Sequence, residues 1–171
     1  MKLMLVKTLI FPHFNYCDVV VNDISIDLSE RLQRAQNYCI RFIFGLRKRV
    51  HVTPFFRQLS LLKFNQLRQY HILTILHSVL NCKTPSYLFQ NFTFLSDNSG
   101  RNTRFGASLL TIPSHRTLIY NKSFTVTACR LWNSLPPNIR SIENRARFQV
   151  EVKDYLFTIL QDWTDWGICI E

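Results

Sequence analysis

A chain of 171 residues that is 47% hydrophobic and 13% aromatic, with only 4 glycines, can bury a core, which excludes disorder throughout and sets one domain or two small ones. Its formal net charge of +10 is unevenly spread: from Arg31 to Arg140 there are 16 Lys and Arg against a single acid, Asp97. A solvated face ordinarily mixes signs, so a span this one-sided repels itself unless a polyanion or an acidic partner screens it, and nucleic acid is the commonest polyanion.

Lys2 to Phe11 has helical spacing with no N-cap, acid or turn residue ahead of it, so it reads as starting already inside a helix. Pro12 is expected to end it, and Phe14 to Val21 to run as an extended or irregular link into a turn at Asn22 and Asp23. Ile24 to Arg49 then reads as one long amphipathic helix. Leu28, Leu32, Ala35, Cys39, Phe42 and Leu46 follow one another at steps of 4, 3, 4, 3 and 4 and share one face, the expected core-facing stripe. Arg31, Arg34 and Arg41 recur on its flanks, and Gly45 precedes Arg47, Lys48 and Arg49, where the helix gives way to a cationic loop.

Thr53-Pro54 pairs an N-cap with an N1 proline and predicts a short helix carrying Phe55, Phe56 and Leu59. Leu62 to Asn81 predicts a helix whose apolar set is wide enough for burial on much of its girth, and Thr84-Pro85 starts a single turn over Ser86 to Gln90. Ser96 to Gly106 is turn-rich and cationic, the expected domain boundary. Ser108 to Ile112 and Leu118 to Tyr120 predict a short hairpin across Pro113 to Thr117. Two helices follow, Lys122 to Asn133 with Phe124, Ala128, Leu131 and Trp132, then Arg145 to Leu160 with Phe148, Val152, Tyr155 and Ile159 on one face. The expected class is mainly α: a helical bundle over 1–95, a small α+β extension over 96–160 with one short hairpin and two helices, and a poorly specified tail over 161–171.

Little in the chain points to catalysis. Cys17, Cys39, Cys82, Cys129 and Cys169 form no CxxC pair and no Cys/His cluster at zinc spacing, which favours reduced, mostly buried thiols. His13, His51, His71, His77 and His115 have no partner at triad spacing and none beyond a loose His71 and His77 pair for a metal, and are read as packed or surface residues. Trp132, beside Leu131 and ahead of a proline stop, reads as a core anchor before a base-stacking platform. Lys7 interrupts the apolar start, so no signal peptide is expected, and the longest uncharged run, Gln69 to Cys82, has 14 residues, too few to span a bilayer.

Several stretches carry more than pattern. FPHFNYCDVVV, LQRAQNYCIRFIFGL, LFQNFTF, RNTRFG, IPSHRT and SFTVTACRLWNSLPPNIRSIENRARFQVEVKDYL, in this order, resemble the region after the catalytic palm of non-LTR retrotransposon reverse transcriptases of the jockey-like kind. The resemblance spans roughly residues 1 to 160, and its specificity rests on the order of the motifs together with the run from Arg130 to Pro136. It implies that 1–95 is a helical thumb-like bundle, with a post-thumb extension behind it, gripping template and primer while an upstream palm does the chemistry. Tyr16-Cys17-Asp18-Val19 mimics the paired-Asp hairpin of such a palm with Val in place of the second Asp, and the chain has no adjacent acids, so Asp18 is expected to be structural. Mg would belong to the absent palm; this chain is expected to have no catalytic residue, no metal site and no cofactor.

The basic residues carry the expected function. Arg31, Arg34, Arg41, Arg47, Lys48 and Arg49 lie on one helix and its exit, and Arg101, Arg104 and Arg116 in loops where backbone donors are also free. The expected partner is RNA or an RNA/DNA hybrid, held by phosphate and A-form shape contacts, since grip on a growing duplex must tolerate any sequence. No membrane and no small-molecule substrate are expected, and the expected location is intracellular, nuclear or cytoplasmic. Two rivals stand beside this reading: an interaction module packing on the upstream polymerase palm or another protein, and a remnant open reading frame whose apolar faces have lost the domain they packed on.

Overall fold

The computed structural model describes residues 1–20, 22–98 and 108–165, with side chains except at 97, 98 and 160–165. It is 67% helix and, among the described residues, holds no strand, only one isolated antiparallel bridge between Phe94 and Leu110, so the class is mainly α. The chain divides into two compact units, Met1–Arg68 and Gln69–Glu171.

In the first unit α1 (Lys2–Leu5) passes through a π-helical turn (Val6–Ile10) into α2 (Phe11–Asn15). The stop expected at Pro12 does not occur. The proline stands in the first turn of α2, where its missing N–H is not needed, and the wider turn ahead of it makes room for the ring. The link after it therefore starts at Tyr16 and runs as turns.

α3 (Ile26–Phe44) begins at Ser25, whose Oγ accepts the Leu28 N–H at 3.3 Å, and ends at Gly45, left-handed at φ 64. A Cβ there would meet nothing within 4 Å, so glycine serves the backbone conformation and not the space. The buried face of α3 overlaps the stripe read from the sequence only in part. Gln36, Cys39 and Ile40 are buried, whereas Leu28, Ala35 and Phe42 are exposed. Leu32, Cys39 and Leu46 of the stripe stay on the inner side, so the helix is turned by less than one residue's step of about 100° from the expected orientation.

The reason lies in two glutamines. Gln36 Nε2 donates to Leu62 O at 2.9 Å, and Gln33 Oε1 accepts the Phe64 N–H at 2.9 Å while its Nε2 donates to Gln36 Oε1 at 3.1 Å. Phe64 opens α5 (Phe64–Cys82), so Gln33 satisfies one of the backbone donors every helix start leaves unpaired. Ser29 Oγ adds a bond to Asn65 Oδ1 at 2.8 Å. Between α3 and α5, the expected short helix forms as α4 (Thr53–Gln58), but Val52 and not Thr53 is its N-cap and no side chain caps it; Phe44 and Phe55, ring centroids 4.7 Å apart, tie it to the end of α3.

The second unit continues α5 and adds α6 (Ser86–Phe89), α7 (Leu95–Asn98), α8 (Leu118–Asn121), α9 (Phe124–Ser134), α10 (Pro137–Arg140) and α11 (Arg145–Asp165), which runs past the expected end at Leu160. The hairpin expected across Pro113 to Thr117 is absent. Thr117 Oγ1 accepts the Tyr120 N–H at 3.3 Å and starts a helical turn instead, and Leu118 and Ile119, 78% and 77% exposed, have no apolar surface to hold a strand against. The other half of that hairpin finds different partners: Thr111 N–H bonds Thr93 O at 2.8 Å and Leu95 N–H bonds Leu109 O at 2.8 Å.

The Arg130 to Pro136 run explains how that segment is held. Asn133 accepts the Leu110 N–H at Oδ1 and donates from Nδ2 to Leu110 O, both at 2.9 Å, so one side-chain amide does for Leu110 what a neighbouring strand would do. Trp132 Nε1 donates to Ser108 O at 2.9 Å, and the indole is buried, as a core anchor should be. Tyr155 OH on α11 donates to Ser134 O at 3.2 Å.

His77 on α5 lies at the centre of this unit, 1% exposed, stacked at 4.0 Å on Phe148 and with Nε2 2.7 Å from Ile142 O. A neutral ring donating Nε2–H to that carbonyl suits the site. Burial holds the His77 pKa below the ordinary 6.5, with the Ile142 bond opposing and the Arg145 charge adding to the shift. The unfolded chain therefore takes up this proton first, so the stability is whole above the unfolded value and is lost as pH falls below it. Thermal melts between about pH 7.5 and 5.5 should lose up to about 1.4 kcal/mol per pH unit from this group. His77→Gln, which keeps a donor for Ile142, should flatten that part of the profile; an unchanged slope would show that the proton is taken up elsewhere.

Candidate nucleic-acid interface

The solvent side of α3 carries Arg31 and Arg34, placed less than one turn apart by the helix itself. Arg31 Nε pairs with Asp27 at 3.0 Å and Arg34 Nη2 reaches the same carboxylate at 3.9 Å, while Arg34 Nε also donates to Glu30 O at 3.3 Å. All three charged side chains are at least 59% exposed, and pairs of this kind contribute at most about 1 kcal/mol, so an arriving phosphate can take over either arginine.

Arg41 has a different duty. It is half-buried, donates from Nη2 to Val50 O at 3.3 Å, and has a buried Nε with no hydrogen-bond partner. It pins the far end of the exit loop to α3. Arg47, Lys48 and Arg49 lie in that loop, all exposed, with the Val50 N–H bonded to Arg47 O at 3.1 Å to close the turn.

Two cations in the same unit went unnoticed in the sequence. Arg57 on α4 is exposed, and Lys63, just ahead of α5, is half-buried; burial, reinforced by the Arg57 charge, lowers the Lys63 pKa. Both add positive charge to the first unit. The signal was available, since both residues lie within the acid-poor span.

Arg68 belongs to the interior. It is 8% exposed, with its guanidinium 4.8 Å from the Phe64 ring centroid and with Nε and Nη2 lacking hydrogen-bond partners. Burial lowers its pKa and the Asp18 charge opposes that shift, so Asp18, itself buried, serves as a counter-charge within the fold. Arg116 is exposed but lies in the second unit, and Arg101 and Arg104 lie outside the described residues.

Other chemistries find little to work with. Cys39 and Cys129 are buried, and burial pushes the Cys129 thiol up to about 11, so it stays protonated at neutral pH. Cys17 and Cys82 are exposed, against the expectation of mostly buried thiols. Among the described residues no group of His, Cys, Asp and Glu is arranged to hold a metal ion, and no helix is long and apolar enough to cross a membrane. A cleft of about 90 Å³ beside Phe11, Phe14, Gln36 and Leu67 is lined by none of the cations. No protein-family model, curated protein or solved structure matches the chain.

Proposed function

We propose that this chain is a non-catalytic nucleic-acid-binding module that holds RNA or RNA/DNA duplex without reading sequence, as the thumb and post-thumb part of a non-LTR retroelement reverse transcriptase. The observation that carries the reading is where the charge lies. The span from Arg31 to Arg140 sets 16 Lys and Arg against Asp97, and within one unit Arg31, Arg34, Arg47, Lys48 and Arg49 are exposed on α3 and its exit loop. A helix that presents guanidinium groups along one side, with a loop of further cations at its end, contacts successive phosphates at no cost in base discrimination. The thumb-like character rests on the ordered motifs and agrees with a first unit built from helices. Chemistry, with its Mg, belongs to the palm.

The test is the salt dependence of binding to an RNA hairpin and an RNA/DNA hybrid, read by fluorescence anisotropy. Log affinity should fall linearly with log salt, by about 0.7 to 0.9 for each phosphate neutralised, so five contacts give a slope of about −4. No binding in dilute buffer, or binding indifferent to salt, refutes the proposal.

A further inference from the structure

Two arginines and one acid on the first turns of α3 are arranged as an anion site with an anion already in place. Asp27, Arg31 and Arg34 follow at steps of 4 and 3, so all three share one side of the helix. The Asp27 carboxylate is divided between the two arginines, with Oδ2 3.0 Å from Arg31 Nε and Oδ1 3.9 Å from Arg34 Nη2. Each oxygen faces a different guanidinium. Glu30, exposed on the same turns, takes no part in this: Arg34 Nε donates to its backbone carbonyl at 3.3 Å, and its carboxylate pairs with neither arginine. A phosphodiester also offers two oxygens, set on a tetrahedral centre, and guanidinium groups take phosphate and carboxylate with the same donors. The two anions therefore compete for one pair.

We infer that Asp27 is a resident competitor: its carboxylate occupies Arg31 and Arg34 in the free chain, is displaced when a phosphate of the nucleic acid binds there, and so sets which anions the surface admits. The inference rests on the phosphate-binding reading of α3 and names the regulation of that surface. Displacement leaves the acid in a favourable place, because Asp27 lies in the first turn of α3, where the helix dipole welcomes negative charge without a partner. A single small phosphate has only the arginine pair to bind and meets the competitor in full. A nucleic acid is also held by Arg47, Lys48 and Arg49, exposed in the exit loop of the same unit, so its next phosphates reach the pair at high local concentration. The acid thus favours polyanions over small anions.

Asp27→Asn removes the charge and keeps the shape, and Ser25 still caps α3, so the melt of the full chain should fall by no more than about 5 °C. Two probes in dilute buffer read the effect: inorganic pyrophosphate, followed at the Arg31 Nε–H resonance, and an RNA hairpin, followed by anisotropy. Asp27→Asn should tighten pyrophosphate about fivefold and the hairpin about twofold. Glu30→Gln changes the net charge by the same amount but leaves the arginine pair filled, and should tighten pyrophosphate less than about twofold. Equal effects of the two substitutions would reduce Asp27 to bulk charge and overturn the inference. So would weaker binding in Asp27→Asn, which would make the carboxylate a support for the arginines, and so would pyrophosphate that leaves the Arg31 resonance unmoved. The two proposals fail separately. Hairpin binding with pyrophosphate indifferent to Asp27→Asn overturns this inference alone, and the expected pyrophosphate result with no hairpin binding overturns the proposed function alone.

Discussion

Replacing Arg47, Lys48 and Arg49 together by Glu should lower affinity for RNA about 100-fold at physiological salt and reduce the salt slope by about 2 to 3. Each of these side chains is exposed in the exit loop, and the loop is held by backbone and ring contacts that the substitutions leave alone: Val50 N–H on Arg47 O, Arg41 on Val50 O, and Phe44 on Phe55. The loss should therefore come with an unchanged circular-dichroism melt. Equal loss on hairpin and hybrid would mark the three as phosphate contacts, because backbone contacts carry no sequence information. Unchanged affinity would move the interface off α3 and its exit, towards Arg57 and Lys63 or towards Arg116. Arg41 is a poor first substitution for this purpose, since releasing Val50 would move the loop and lose binding for a structural reason.

Asn133→Leu should destabilise the second unit by about 3 kcal/mol, because Leu110 is 1% exposed and its N–H and C=O would both lose their partner in a place water does not reach. For a unit of this size that corresponds to a fall in melting temperature of roughly 10 to 20 °C. Hydrogen exchange at the Leu110 amide should accelerate more than at the buried amides of α9. A melt shifted by less than about 0.5 kcal/mol would mean that the Leu110 segment rearranges and finds other partners.

These two sites mark what the sequence discloses. The long helices are legible because apolar residues recur with helical spacing over enough turns to leave no rival: α5 and α9 fall within about two residues of the expected bounds, α3 stops at Phe44 ahead of the expected Arg49, and α11 runs past Leu160. Gly45 and Pro54 were legible for a local reason, the left-handed end of α3 and the first turn of α4, whereas Thr53 lies inside α4 and does not cap it. Periodicity fails where a polar side chain is buried to serve a distant backbone. Gln33 and Gln36 count as solvent-facing in any hydrophobic pattern, yet they turn α3 part of a residue's step away from its apolar stripe. Asn133 likewise takes the place of a strand, so the extended residues around Leu110 suggested a hairpin that the chain has no need to form.

The candidate site was legible as charge and not as geometry. A count of acids and bases finds Arg31, Arg34 and the loop cations, because those residues are exposed and their role needs no partner in the fold. It cannot separate Arg41, which anchors a loop, or Arg68, which is buried beside an acid, from cations that face solvent. That difference depends on which backbone oxygen or carboxylate the fold brings within reach.

The glutamine face of α3 has a consequence for how this unit tolerates change. Gln36 recognises the carbonyl of Leu62 and Gln33 the amide of Phe64, so neither amide reads the identity of the side chain it is bonded beside. One apolar side chain can replace another at 62 and 64 without removing either glutamine bond to the 62–64 backbone. Proline at 64 is the exception, since it deletes the one atom being recognised. The glutamine contacts are thus written in side chain on α3 and in main chain at the entry to α5, with only Ser29 on Asn65 pairing side chain to side chain.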